Sequence, residues 1–138
     1  MSRRPQSILV QYAQEFLRAK DNDLLNVVNK FLASIGNYNV RRELRGASEA
    51  AIRKIHSTVT GIIDRVIEGK GNPHDIAHAE IFIKYQSARG QISREIADSI
   101  TLILNAVGNS LNNREQMVKT ARRARLFLDA LVTLSKMA

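Results

Sequence analysis

The chain predicts an all-α fold, a compact bundle of about five helices, the third and fourth long, in a single domain spanning 1–138. Three observations predict it. Apolar residues recur at three- and four-residue spacing through most of the length, the signature of helices with one buried face. No stretch alternates apolar and polar with the period of two that marks a half-buried strand. The strongest interruptions are Gly, Pro and Asn clusters that stop one helix and cap the next. The chain has 138 residues, enough to bury a core without metal or disulfide support, and at 44% hydrophobic and 25% charged it is not disordered.

The first helix is predicted from about Pro5 to Lys20, with Pro5 suited to the first turn and Ile8, Tyr12 and Phe16 repeating at i+4. Asp21, Asn22 and Asp23 supply cap candidates for a second helix that buries Leu24, Val28, Phe31 and Ile35 and ends at Gly36. The third carries one continuous stripe, Val40, Leu44, Ala47, Ala51, Ile55, Val59, Ile62 and Val66, with Arg42, Arg45, Glu49, Arg53 and His56 opposite. Gly46 loosens its start, since a mid-helix Gly costs about 1 kcal/mol against Ala. In Gly69-Lys70-Gly71-Asn72-Pro73, either Gly69 or Gly71 ends the third helix. Asn72 then caps the fourth, with Pro73 at its first position and Asp75 in its first turn. The fourth helix buries Ile81, Tyr85, Ala88, Ile92, Ile96, Ile103 and Val107, widened by Ile100 and Leu104. A turn over 108–113, with Asn112 or Asn113 as cap, leads to a last helix that buries Met117, Ala121, Ala124, Leu128 and Leu131.

Composition excludes several chemistries. There is no cysteine, hence no disulfide framework, no zinc–cysteine site and no thiol nucleophile, which fits a reducing compartment. The basic start Met1-Ser2-Arg3-Arg4-Pro5 is followed by polar interruptions at Gln11, Gln14, Glu15 and Arg18, so it reads as neither a signal peptide nor a membrane span, and the protein reads as cytoplasmic. There is no glycine-rich phosphate loop, nucleophile elbow or paired-carboxylate motif, so no catalytic residue and no cofactor are assigned. His74 and His78 stand at i and i+4 beside Asp75 and Glu80, a spacing that places two ligands on one helix face. No third ligand follows at a convincing spacing, and no metal site is assigned.

The surplus of positive charge is the feature that points to function. The formal net charge is +8. The basic residues gather on polar helix faces in three groups: Arg41, Arg42, Arg45 and Arg53; Lys84, Arg89 and Arg94; and Lys119, Arg122, Arg123 and Arg125. Taken singly, each reads as a solvated surface side chain. Collectively they crowd like charges at i+3 and i+4, which destabilises a helix unless something compensates. A phosphate backbone is the simplest compensation, and arginine forks suit it. Arg89, at the edge of the apolar stripe, reads either as a half-buried contact residue or as a side chain snorkelling over the core edge. With no Trp and 5% aromatics, stacking platforms are scarce: Tyr38 in a loop is one, and Tyr85 reads as core. Backbone binding without sequence preference is the expected mode.

Three segments resemble, in order, the small helical subunit of type III CRISPR effector complexes. They are Asn39-Val40-Arg41-Arg42-Glu43-Leu44, then Ile83-Lys84-Tyr85-Gln86-Ser87-Ala88-Arg89-Gly90, then Phe127-Leu128-Asp129-Ala130-Leu131-Val132-Thr133-Leu134-Ser135-Lys136. The resemblance covers about residues 39–138. The family shows a Ser/Thr-x-x-Ile-Arg segment, a Tyr-x-x-x-Arg segment and a closing Phe-x-Glu-Ala-Ile-Val-Ala-Tyr segment. Here Asp129 stands for its Glu, Leu134 for its Tyr, and Gly90 follows Arg89 rather than preceding it. Small subunits of type I complexes are helical and basic too. The resemblance implies a subunit without an active site that serves antiviral defence. It would stack or dimerise with its own kind, contact other subunits, and line the path of guide and target RNA, or of single-stranded DNA. It places Arg41 or Arg42, and Arg89, toward nucleic acid. The rival reading is a helical interaction module whose basic face meets an acidic protein.

Overall fold

The computed structural model describes residues 6–138, and among them the chain is all-helical. Seven α-helices follow one another: α1 (Ile8–Arg18), α2 (Leu24–Ala33), α3 (Tyr38–Leu44), α4 (Glu49–Ile67), α5 (Pro73–Ala88), α6 (Arg94–Gly108) and α7 (Arg114–Met137). Short 3-10 turns at Asp21–Asp23 and Ser34–Gly36 flank α2. The first helix starts later than its periodicity predicts, because the Ser7 hydroxyl accepts from the Val10 amide at 3.2 Å and caps it. The expectation placed on Pro5 falls outside the described residues. No side-chain cap comes from Asp21, Asn22 or Asp23; the 3-10 turn leads into α2 instead.

Five predicted helices become seven because both long ones break. The third breaks at Gly46 (φ 81°) and restarts at Ser48, whose hydroxyl accepts from Ala51 N. The fourth breaks at Gly90 (φ 75°) and restarts at Ser93, whose hydroxyl accepts from Ile96 N. Gly90 closes α5 as a Schellman motif, with Gly90 N donating to Ser87 O and Gln91 N to Gln86 O. The left-handed backbone needed there is available to Gly at little cost. In each case the capping serine follows the glycine within two or three residues, so one helix stops and the next is capped almost at once.

The apolar stripe of the third predicted helix survives the break: Val40, Leu44, Ala51, Ile55, Val59 and Val66 are buried, while Ile62 yields its place to Ile63. The stripe of the fourth does not. Ile92, Ile96, Ile103 and Val107 are buried as expected, but Ile81 (67% exposed), Tyr85 (56%) and Ala88 face outward. Helix α5 is apolar on both sides, and carrying the phase of α6 backwards through Gly90 selects the wrong one. The buried face is Ile76, Ala79, Ile83 and Gln86.

Helix α6 sits between α1 and α5, and α7 packs along α4 while also meeting α1, α2 and α6. Phe16, Phe31 and Phe127 bring α1, α2 and α7 together: Phe16 and Phe127 meet edge to face at 5.3 Å, and Phe31 stacks on Phe127 at 5.5 Å. The predicted caps at Asn72 and Asn113 are present, accepting from Asp75 N and Gln116 N, and Pro73 opens α5. Gly69 (φ 82°) ends α4 in a second Schellman motif, Lys70 N donating to Arg65 O and Gly69 N to Val66 O. Gly71 matters for a different reason, close approach: a Cβ there would run into the side chain and backbone of the fully buried Val66. Gly71→Ala is therefore expected to destabilise the fold by about 1–3 kcal/mol, read as a lowered urea midpoint with unchanged m-value. An unchanged midpoint would mean that the loop relaxes freely.

Candidate nucleic-acid interface

The two glycine breaks lie side by side. Ser48 N donates to Gln91 O at 2.8 Å, and the Ser93 hydroxyl donates to Glu43 O at 2.5 Å, so the α3–α4 and α5–α6 turns are laced together. This brings part of the first and second basic groups together, Arg42 and Arg45 from one and Arg89 and Arg94 from the other, while Arg53 lines a separate groove with Glu49, His56 and Lys136. Arg42 and Arg94 line a common open groove, of about 980 Å³, where α1, α3 and α6 meet. Arg45 and Arg89 occupy the C-cap positions of α3 and α5. There, and at Arg41 and Arg42 in the last turn of α3, the negative end of the helix dipole offsets like-charge repulsion by roughly 0.3–1 kcal/mol per residue. The compensation sought for the arginine crowding is thus partly internal.

Each turn also carries an arginine–tyrosine pair. The Arg45 guanidinium lies 5.9 Å from the Tyr38 ring centroid, and that of Arg89 lies 5.4 Å from the Tyr85 ring. Tyr38 is the first residue of α3 rather than part of a loop and is 58% exposed; Tyr85 is exposed rather than core, and Arg89 is exposed rather than half-buried. Both guanidinium planes and both rings are therefore open to solvent beside the laced turns, the arrangement on which unpaired bases stack.

Arg42, Arg45, Lys84 and Arg89 have no acidic partner among the described residues, and Arg41 donates to Ile35 O at 2.9 Å while remaining exposed. Arg94 has a loose contact with Asp98 at 3.9 Å, and Arg53 pairs with Glu49 at 3.5 Å, both well exposed; such pairs are worth little. Glu43, the acid that opposes Arg41, Arg42 and Arg45 along the sequence, turns away from them. It is buried, and its carboxylate accepts from Ser7 Oγ at 2.8 Å, Ile8 N at 2.9 Å and Leu9 N at 3.0 Å, capping α1 from another helix. That carboxylate is therefore not shared with Arg41, Arg42 or Arg45, while Glu95 and Asp98 line the groove beside Arg42 and Arg94.

The third basic group divides. Lys119 and Arg122 are exposed and line a different groove, between α7 and the start of α2. Arg123 is 4% exposed and points inward, donating to Phe16 O at 3.0 Å, Ala19 O at 2.6 Å and Asp21 Oδ1 at 2.5 Å. Its position makes it the C-terminal cap of α1. Arg125, at the α4–α7 contact, bonds Asp64 and, through Nε, both oxygens of Asp129 at 3.2 Å. The hydrogen bond to Asp64 raises its pKa above the ordinary arginine value, with Asp129 adding to the effect and partial burial opposing it. His56, opposite the apolar stripe, joins the same network, its Nε2 lying 2.8 Å from Asp129 Oδ1. No local pattern marks Glu43, Arg123 or Arg125 as different from their neighbours, unlike the serine and asparagine N-caps, which act on their own next turn.

His74 and His78 are exposed on α5, and among the described residues no group of three or more His, Cys, Asp or Glu is gathered to hold a metal ion. Among them, too, no helix is long and apolar enough to cross a membrane. No protein-family model, curated protein or solved structure matches the chain.

Proposed function

We propose that this protein is a non-catalytic, nucleic-acid-binding small subunit of a CRISPR ribonucleoprotein complex, acting in the cytoplasm and stacking with other subunits along a guide or target strand. The observation that carries the reading is the meeting of Arg42, Arg45, Arg89 and Arg94 at two laced turns, each with an exposed tyrosine under an arginine. Arginines at that surface neutralise phosphates and release counterions, while base pairing between guide and target supplies specificity. Tyr38 and Tyr85 offer stacking faces that accept any base. Arg41, Arg53 and Lys84 extend the positive surface; Arg123 is engaged inside the fold, and Arg125, half-buried, is paired with Asp64 and Asp129. The order of the segments beginning at Asn39, Ile83 and Phe127 supports the family assignment.

The test is fluorescence anisotropy of random-sequence single-stranded RNA, single-stranded DNA and RNA duplex against the protein across a salt series. The reading expects binding with little sequence dependence and a log–log salt slope of several phosphates, about 0.7 per contact on single strands. No binding at low salt, or binding confined to one sequence, contradicts it.

A further inference from the structure

The groove that holds Lys119 and Arg122 has a character unlike the laced turns. It is an open cleft of about 910 Å³ whose floor is Leu24, Val118 and Leu126 and whose rim carries Arg114, Lys119 and Arg122. On α7, the positions 115, 118, 119, 122 and 126 step by one, three or four and form one stripe. The opposite stripe, Met117, Ala121, Ala124, Leu128 and Leu131, is buried in the core. The lined stretch from Arg114 to Leu126 is about 18 Å long at 1.5 Å per residue, three turns of a helix laid alongside. Arg123, bonded to Phe16 O, Ala19 O and Asp21, holds the far wall against α7, so the cleft is preformed. It also neutralises Asp21, leaving Glu115 as the acid of the lining without a described partner.

We infer that this groove docks an acidic amphipathic helix of a partner protein. Apolar residues of the partner would cover Leu24, Val118 and Leu126, and carboxylates on its flanks would meet Arg114, Lys119 and Arg122. A second copy of this chain would bring a molecule of net charge +8 against a basic rim. A phosphate strand would satisfy the rim but leave the leucine and valine floor in water. The inference is independent of the laced-turn surface, whose residues do not overlap with the groove, and it reassigns Lys119 and Arg122, grouped by sequence with the nucleic-acid residues, to a protein partner.

The experiment uses the full chain and a fluorescein-labelled peptide of about 18 residues, with leucines at helical i, i+3, i+7 spacing and glutamates on both flanks. A scrambled peptide of the same composition and a single-stranded RNA of similar length complete the set. The amphipathic peptide is expected to bind at least about tenfold tighter than the scramble. Val118→Ser and Arg122→Glu are each expected to weaken it at least about fivefold, and Arg45→Ala to leave it unchanged. Arg122 is exposed, so Arg122→Glu tests the surface even where Val118→Ser perturbs folding; a thermal melt of each variant checks this. Absence of binding, equal binding of peptide and scramble, or displacement of the peptide by RNA in an Arg122-dependent manner would each overturn the inference. Retention of RNA binding through Arg45 in any of those cases shows that the nucleic-acid reading stands separately.

Discussion

Replacing Arg42, Arg45, Arg89 and Arg94 together by alanine is expected to weaken binding of every nucleic-acid sequence alike, by about 100- to 1,000-fold near 0.1 M salt. Four phosphate contacts on a single strand contribute a log–log slope of about 2.8, so going from 1 M to 0.1 M salt they account for nearly three decades of affinity. The slope of the variant should fall by about three. The loss should not be accompanied by unfolding, since the four side chains are exposed and make at most one loose ion pair, Arg94 with Asp98. Tyr38→Ala with Tyr85→Ala should instead leave the slope alone and weaken single strands more than duplex, since stacking releases no counterions. Titration of both variants across salt separates the two contributions. An unchanged affinity in the quadruple variant, or a loss restricted to one sequence, would remove the laced turns from consideration as the binding surface.

Arg123→Met is expected to destabilise the fold by about 2–4 kcal/mol while leaving nucleic-acid affinity as it was. The substitution keeps the hydrocarbon volume of the stem but removes the donors to Phe16 O and Ala19 O, leaving carbonyls at the end of α1 without a partner. Asp21 is well exposed and can hydrate, so the cost comes from the carbonyls rather than from a stranded charge. Arg123→Lys should recover only part of the loss, because one ammonium cannot reproduce a fork that serves three acceptors on Phe16, Ala19 and Asp21. Urea unfolding followed by circular dichroism gives the midpoints. A shift below about 1 kcal/mol, or a weakened RNA affinity in a folded variant, would show that Arg123 faces its ligand and not α1.

Much of the architecture is readable from the chain because it rests on local rules. Asn72-Pro73 and Asn113 cap helices through their own backbone neighbours, and the apolar steps of α7 need no knowledge of the rest of the molecule. The breaks at Gly46 and Gly90 are not legible there, because a glycine costs a helix only about 1 kcal/mol, an amount tertiary packing overrides in either direction. Once Gly90 is passed over, Ile81 and Tyr85 inherit the phase of α6 and fall in the predicted core. That single slip conceals the stacking pair of Tyr85 with Arg89. The fates of the charged residues are illegible for another reason. Arg122 and Arg123 are adjacent and chemically identical, yet one faces water and the other caps a helix 104 residues away along the chain. Burial of a polar group is decided by which acceptors the fold brings to it, and those acceptors lie far off in sequence.

Helix α1 is held at both ends by charges that belong to other helices. The Glu43 carboxylate occupies its positive end, on the amides of Ile8 and Leu9, and the Arg123 guanidinium occupies its negative end, on the carbonyls of Phe16 and Ala19. An isolated helix of 11 residues is marginal in water. Sliding by one residue would move it about 1.5 Å and turn it about 100°, which would unseat the anion and the cation together and withdraw Phe16 from the Phe127 ring. The fold thus gives α1 a single seat of defined polarity, as a bolt has in a lock with a stop at each end, and intermediate registers have no foothold.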